Sequence, residues 1–535
     1  MKKIQAAILV TPILSAVLLL HVNYLRFVCD DAFISFRYAK NFIQGHGLVY
    51  NFGERVEGYT NFLWTLLLSL FMKVGFDPVL VSQVLGMVFG LGTLFLLLRL
   101  NKKLYPEENL FNYLAPLFLV SCGAFAAWCT GGLETSFYTF LVFLGTFLFV
   151  IGLNNPRLLT FSGIAFALAC MTRLDGLIFA GVTFLFLCYL TFVGKRIDPR
   201  SLLVWSLTFC LLFLAYFVWR WYYYGMLLPN TFYVKLGGGN FLGQGFFYLF
   251  DFVRRFWIWL AVIPLSFLIW AARLPARTKV VASYFTSLTL AFSCYVVCVG
   301  GDFMDMFRFL VPILPFLFFL IQEGFRGIYG HFQSVSLPGT RRVFVTSSLA
   351  LLAGLMVFSL ARPSMESNKL WSRSGIDSIG MLRETAREWS MVGMMFKAMA
   401  DSDESLATTA AGAIPYYSEL YAFDQLGLTF PTHSQLKDRN VTKAGHTRRI
   451  KDEYLLFLRP TYVLEHPKIR DDYRQTRGVW LSGDLLLRNG YKAVVFPVSM
   501  SESETKFLYC FSLKESRSQR VEDSRFRVEE AKDGE

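Results

Sequence analysis

Apolar runs long enough to cross a bilayer recur along the first two thirds of this 535-residue chain, and no water-soluble fold buries so many of them. A helix needs about 20 apolar residues to span about 30 Å of hydrocarbon. Runs of that order are read at 4–25, 79–98, 113–129, 135–152, 158–172, 175–193, 201–222, 256–272, 280–299, 307–321 and 343–361,. With 54% hydrophobic residues and 55 phenylalanines, the chain reads as a polytopic α-helical membrane protein.

A net charge of +13 would suggest a nucleic-acid partner in a soluble chain. Here the Lys and Arg residues fall in short gaps between apolar runs, the positive-inside pattern, and no basic patch interleaved with aromatics offers a nucleic-acid surface. Lys2 and Lys3 precede the first run, which lacks a small-residue cleavage site, so it reads as an uncleaved anchor with a cytoplasmic amino terminus,. The apolar segment 61–74 is read as a juxtamembrane helix lying on or dipping into the outer leaflet. That one assumption places Arg99, Lys102, Lys103, Arg157, the cluster Lys195 to Arg200, Arg273 to Lys279, and Arg326 to Arg342 inside,. About eleven crossings result, making residues 1–361 the transmembrane domain.

An odd number of crossings leaves the carboxy terminus outside. Residues 362–514 lose the long apolar runs and are expected to form a mixed α/β extracytoplasmic domain, with strand-like runs at Tyr454-Leu455-Leu456-Phe457-Leu458 and Ala493-Val494-Val495-Phe496,. Residues 515–535, dense in both charges, are expected to be a disordered tail,. Of nine cysteines, seven lie inside apolar runs, with neither CxxC pairs nor histidines at metal-ligand spacing, so they read as small core residues,.

Once the inner charges fix the topology, the unusual polar residues all fall on the outer side. Asp30, Asp31, His46 and Glu57 occupy the first outer loop. Glu134 follows the third span, Arg173 and Asp175 share the tight turn Thr172-Arg173-Leu174-Asp175-Gly176, and Pro229-Asn230-Thr231-Phe232-Tyr233-Val234-Lys235 follows the seventh. Gly300-Gly301-Asp302-Phe303-Met304, with Arg308 just beyond, lies between the ninth and tenth. Adjacent carboxylates at a bilayer edge cost free energy unless a cation or proton offsets them. Carboxylates so placed suit a divalent cation (Mg, Mn or Ca), basic groups suit a phosphate, and an ionised Asp suits deprotonation of a hydroxyl. Taken singly, each has a plainer reading. Asp30, Asp31 and Glu134 suit helix caps, Arg173 and Asp175 can pair with each other, Lys235 can snorkel, and His46 can bond within its loop. A transporter or flippase of a lipid-linked or anionic solute also needs membrane charges, but there they sit near the midplane, often in paired halves.

Three stretches at the amino end, Asp30-Asp31-Ala32-Phe33-Ile34-Ser35-Phe36-Arg37-Tyr38-Ala39, Gly45-His46-Gly47-Leu48-Val49-Tyr50-Asn51 and Glu54-Arg55-Val56-Glu57-Gly58-Tyr59-Thr60-Asn61, are similar to the terminal β-(1→2) arabinofuranosyltransferases and their bacterial relatives. The chain as a whole resembles the polyprenyl-phosphate-sugar glycosyltransferases of the GT-C fold. The likeness continues through 132–135, 172–175, 229–233, Ala411-Gly412-Ala413-Ile414-Pro415-Tyr416-Tyr417 and Asp424-Gln425-Leu426-Gly427-Leu428. It implies inverting transfer of a sugar, arabinofuranose or another pentose or hexose, from a polyprenyl-phosphate donor to a hydroxyl of a cell-envelope glycan or glycolipid, outside the cytoplasmic membrane. By the same resemblance Asp30 is the first choice for the base and Asp31 for metal or acceptor positioning, with the two roles exchangeable. Glu134 is a metal or acceptor contact, and Arg173, Lys235 and Arg308 are placed at the donor phosphate. His46, Glu57, Asp175, Asn230 and Asp302 are candidate substrate contacts. Asp305-Met306-Phe307 departs from the small or glycine residues that relatives place before the arginine, which puts Arg308's role at issue.

Overall fold

The computed structural model describes residues 2–535 apart from 108, 236–240, 270–274, 335–338, 374, 432–435, 439–447, 468, 472–482, 502–503, 514–528 and 531–535. The helices in chain order are α1 (Lys2–Tyr24), α2 (Asp30–Ile43), α3 (Phe62–Lys73), α4 (Pro78–Leu104), α5 (Leu114–Ser121), α6 (Gly123–Ala127), α7 (Thr135–Gly152), α8 (Pro156–Thr172), α9 (Gly176–Cys188) and α10 (Pro199–Tyr224). They continue as α11 (Asn230–Lys235), α12 (Phe241–Arg255), α13 (Val262–Ile269), α14 (Ala276–Cys298), α15 (Leu314–Ser334), α16 (Gly339–Ser367), α17 (Ile379–Met399), α18 (Ala413–Ser418), α19 (Asp452–Leu458) and α20 (Gly483–Arg488).

Among the described residues seven helices are long and apolar enough to cross a membrane, and Leu9–Tyr24, Phe62–Lys73, Leu110–Ser121 and Pro156–Thr172 are shorter apolar helices. The chain is a multi-pass helical membrane protein. Local chemistry sets the helix ends. Asp77 accepts from the Leu80 amide ahead of Pro78, Asp198 accepts from the Arg200 amide ahead of Pro199, and Gly225 closes α10 with φ of 72°,. At 12 residues α3 is about 18 Å long, too short to cross, in keeping with a juxtamembrane helix,.

The run 113–129, expected as one span, is broken. Cys122 is extended (ψ 114°) between α5 and α6, which frees carbonyls that a continuous helix would bond. The His21 ring reaches across from α1, its Nδ1 donating to the Val120 carbonyl (3.0 Å) and its Nε2 meeting the Ser364 hydroxyl of α16 (2.8 Å). Gly123 makes this crossing possible, since a Cβ there would strike Ser364 Oγ. Of the run 256–272, a short 3-10 turn at Ile258–Ala261 and α13 are described. The amphipathic α12 lies between the seventh and eighth apolar runs. Its Leu242, Phe246, Phe247 and Phe250 are exposed, while Tyr248 and Phe252 pack inward.

The carboxy-terminal part carries strands β1 (Ser372–Arg373), β2 (Ile376–Asp377), β3 (Ser405–Thr408), β4 (Tyr421–Asp424), β5 (Leu436–Asp438), β6 (Arg448–Ile450), β7 (Tyr462–Glu465), β8 (Ile469–Arg470), β9 (Tyr491–Ser499), β10 (Thr505–Leu513) and β11 (Glu529–Glu530). The main sheet runs β11-β9-β10-β7-β3-β4, with β8 also on β10. β3 is parallel to β4 and β7, and β9 pairs antiparallel with β10 from Tyr491↔Leu513 to Ser499↔Thr505. Alternation in β9 buries Val494, Phe496 and Val498, and Phe496 meets Phe396 of α17 at 5.9 Å,. The strand expected at Tyr454–Leu458 is instead helix α19. Asp452 and Glu453 sit in its first turn, where a helix favours acids, and only Leu455 is buried while Phe457 is 78% exposed,. Of the tail 515–535, only the short β11 lies among the described residues.

His21→Phe leaves the Val120 carbonyl without its donor and is expected to cost about 1–3 kcal/mol. The readout is the thermal midpoint in detergent, and an unchanged midpoint would mean that the carbonyl finds another partner.

Candidate active site

The site begins where α2 begins. Cys29 anchors the entry, its amide and Sγ both donating to the Gly131 carbonyl at 3.2 Å. This sets the loop 131–134 beside the first turn of α2, which carries Asp30 and Asp31. A Cβ on Gly132 would strike Ala32 and Val28, and its φ of +84° also favours glycine,. Trp64 of α3 closes the far side, its Nε1 donating to the Gly132 carbonyl at 3.1 Å.

Both Asp30 oxygens are held by main-chain amides of the sheet-bearing domain, Oδ1 by Ala413 (2.7 Å) and Oδ2 by Gly412 (3.1 Å). Burial pushes the Asp30 carboxyl up to about 7, against those two amides, with the charges of Asp31 and Asp424 adding to the rise,. Asp31 lies within electrostatic reach of Arg308.

Glu134 is buried and accepts from Asn61 Nδ2 (2.9 Å) and Arg173 Nη1 (2.7 Å). Asn61 is itself fixed, its Oδ1 accepting from Ser35 (3.0 Å) and Thr65 (3.1 Å). Burial alone would raise the Glu134 carboxyl, but Arg173 and Arg308 outweigh it and hold the group below its ordinary value. Arg173 also grips Asp175 through Nη2 (2.8 Å) and Nε. Arg308 pairs with Asp302 through Nε at 2.8 Å. Both guanidiniums lie over the Phe309 ring at 5.2 Å, and Arg308 also lies over Trp128 at 5.4 Å. A small cavity, about the size of one water molecule, lies between them, lined by Arg173, Arg308, Asp175, Tyr138, Phe309 and Thr135,. Thr135 Oγ1 there is buried without a hydrogen-bond partner among the described residues. A guanidinium has five N–H donors, and the ion pairs with Glu134, Asp175 and Asp302 use only part of that capacity.

The intervening Asp305-Met306-Phe307 does not displace Arg308. Asp305 is 2% exposed, pairs with Arg255 of α12 (2.5 Å) and accepts from Ser367 (2.5 Å). Phe307 packs on Tyr248, Phe252 and Phe256 at 5.2–5.8 Å. The three residues fasten the loop from behind while Arg308 stays on the cavity.

Other sequence candidates lie outside this cavity. Glu57 is buried against Arg220 of α10 (2.7 Å), and Asn230 donates to the carbonyls of Gly427 (2.8 Å) and Leu428 (2.7 Å). Together they tie the first outer loop, α10 and the sheet-bearing domain. His46 is exposed, its ring 4.2 Å from Phe52. Lys235 ends α11, and its side chain lies outside the described residues.

For a metal held by Asp31 and Glu134 the donor set does not fit. Glu134 is ion-paired with Arg173 at 2.7 Å, a positive charge that opposes a cation on the same carboxylate,, and among the described residues no group of three His, Cys, Asp or Glu side chains could hold an ion. Sequence reasoning missed Asn61, Thr135, Phe309 and the Gly412–Ala413 amides. Asn61, Thr135, Gly412 and Ala413 stand in stretches that carry the family resemblance, whereas main-chain donors and a single Phe in an apolar run leave no signal of their own.

A family model described as a domain of unknown function, DUF8728, matches residues 380–519. The chain is 28% identical over 267 residues to a terminal β-(1→2)-arabinofuranosyltransferase of Mycobacterium tuberculosis, covering 46% of this chain and 42% of that protein. It is 25% identical over 331 residues to the enzyme of the same name from Corynebacterium glutamicum, covering 55% and 47%. It therefore spans less than half the length of either relative. The crystal structure of ArnT from Cupriavidus metallidurans bound to undecaprenyl phosphate superposes with a TM-score of 0.59 over 94% of this chain and 98% of that one, at 10% identity. This chain has the GT-C glycosyltransferase fold. Within that GT-C frame the loops at 29–31, 131–134, 173–175 and 302–309 meet at one end of the bundle.

Arg173→Ala strands Glu134 and Asp175 together and is expected to cost about 3–5 kcal/mol, as for any broken buried pair. Arg173→Ala/Glu134→Gln should recover part of it in detergent melts, and equal midpoints for the single and double variants would contradict the pairing.

Proposed function

We propose that the chain is an inverting glycosyltransferase that moves a sugar, arabinofuranose or another pentose or hexose, from a polyprenyl-phosphate donor to a hydroxyl of a cell-envelope glycan or glycolipid. The observation that carries this reading is the pair of guanidiniums, Arg173 and Arg308, flanking Phe309 on one cavity, at the same end of the bundle as Asp30 and Asp31. Two such groups suit the charge that builds on a departing phosphate. Asp30, or Asp31 with the roles exchanged, takes the proton of the acceptor hydroxyl. The acceptor oxygen then bonds to the anomeric carbon as the bond to the lipid phosphate breaks on the opposite face, inverting the configuration. The electron pair leaves with the polyprenyl phosphate, whose charge falls to the arginines. No step is routed through a cation.

The names of the two relatives and the undecaprenyl phosphate bound to ArnT support a lipid-linked donor. The positive-inside pattern supports the cytoplasmic membrane, with the amino terminus inside and the sheet-bearing domain outside.

The test is the full chain in proteoliposomes with a polyprenyl-phosphate pentose and a glycan acceptor, the product read by mass spectrometry. Asp30→Asn is expected to abolish transfer while the protein still inserts and folds, and wild-type transfer by that variant removes Asp30 as the base. Only the ionised carboxylate can take a proton, so the rate should climb about tenfold per pH unit below the Asp30 value of about 7 and level off above it,. Stability runs the other way. A carboxyl raised in the folded state favours folding at low pH, and that contribution fades as pH rises through about 7,. A rate independent of pH from 5 to 8, roughly the range that carboxylate would titrate across, would exclude it as the base.

A further inference from the structure

We propose that Gly412 and Ala413 of the sheet-bearing domain are positioning residues of the active site, their main-chain N–H groups holding the Asp30 carboxylate in its working orientation. The inference rests on the transferase reading above. It makes the carboxy-terminal domain part of the catalytic machinery.

Both Asp30 oxygens are engaged across the boundary between the helical and sheet-bearing parts. The approach is so close that a Cβ at Gly412 would collide with the Asp30 main chain and its carboxyl carbon. The segment that delivers the amides is itself seated on α2 and the loop after it. Tyr50 Oη donates to the Ala411 carbonyl (2.6 Å), Arg37 donates to the carbonyls of Leu420 (2.8 Å) and Pro415, and Asn51 Nδ2 donates to the Ala422 carbonyl (3.0 Å). Phe33 meets the rings of Tyr416 and Tyr417 at 5.6 and 5.5 Å. Arg37, Tyr50 and Asn51 are all buried, so the seat is fixed in place. Each carboxylate oxygen has two lone-pair sites, and one amide per oxygen leaves a site on each to accept the proton. The clamp thus orients the base without consuming it.

Ala413→Pro removes the shorter of the two bonds, at the first position of α18,. In the proteoliposome assay we expect kcat to fall about tenfold to a hundredfold, the worth of a hydrogen bond to a charged group, with the donor KM unchanged. Ala413→Gly, which keeps the N–H, should return most of the rate. Independently of activity, thermal midpoints of Asp30→Ala, Ala413→Pro and the double variant should be non-additive, because the two residues share one contact. Wild-type kcat in Ala413→Pro, additive midpoints, or equal losses in Ala413→Pro and Ala413→Gly would each overturn the proposal. Should Ala413→Pro fail to insert, Tyr50→Phe removes one bond of the seat and should lower kcat with KM unchanged, and an unchanged kcat there overturns it too. A wild-type chain that transfers no sugar but shows non-additive midpoints would sink the transferase reading and leave the clamp standing.

Discussion

A guanidinium half-buried where a helix bundle meets the membrane surface is best neutralised locally, and Arg173 is the charge around which the outer end of this protein is arranged. Glu134 and Asp175 hold it at 2.7 and 2.8 Å, and Glu134 is in turn fixed by Asn61. Asn61 stands immediately before α3, and Ser35, which bonds it, lies on α2. One charge therefore fixes the relative positions of α2, α3, the 131–134 loop and the turn between α8 and α9. Polar groups this deeply buried are costly when unpartnered, so the network favours one arrangement over others that would leave any member unpaired. The same network leaves guanidinium donors facing the cavity, where an anionic leaving group would need them.

The spans were legible because hydropathy reports them directly, and the positive-inside pattern supplied the reading of 61–74 as a juxtamembrane helix. What hydropathy could not report was continuity. The break at Cys122 depends on His21 arriving from a helix about a hundred residues away to take the Val120 carbonyl, and nothing in the apolar run itself marks it. The segment 454–458 looked like a strand because five apolar or aromatic residues stand in a row, and a run that short does not discriminate. The two acids before it did discriminate, through the helix dipole. α12 leaves no such signal because an amphipathic helix never reaches the uniform hydropathy of a span,.

The site divides along a similar line. Residues whose function requires charge were visible as charges, and the loops bearing Asp30, Glu134, Arg173 and Arg308 do converge. The sequence could not separate charges that face the cavity from charges that fasten the frame. Glu57 and Asn230 look as informative as Glu134 in one dimension, yet Glu57 pairs with the buried Arg220 near the carboxy-terminal end of α10 and Asn230 holds two carbonyls at 427–428. Asp305 likewise seemed to disturb the approach to Arg308 and proves to brace it through Arg255 and Ser367. Main-chain donors such as those of Gly412 and Ala413 leave only an indirect trace, a glycine where a side chain would collide.

The distribution of charge along the bundle also bears on whether a solute could pass through it. A second polar cluster, Asn101, Tyr105, Gln322, Glu323 and Arg326, joins the carboxy-terminal end of α4 to the middle of α15. Between the two ends the helices meet through aromatic rings. Phe179 stacks on Phe292 at 4.5 Å, and Phe316 sits 5.0 Å from Phe285 and 5.5 Å from Phe143. α7 and α9 carry no charged residue, those of α14 lie in its first turn, and the Glu323 and Arg326 of mid-α15 are paired with each other. A transporter of an anionic or lipid-linked solute needs polar groups near the midplane to replace water along the path. Here packed rings separate the two clusters, the members of the second bond one another, and the ionised groups that could act on a sugar phosphate stand together at one edge. That arrangement suits chemistry carried out at the membrane surface on a donor whose lipid stays in the bilayer.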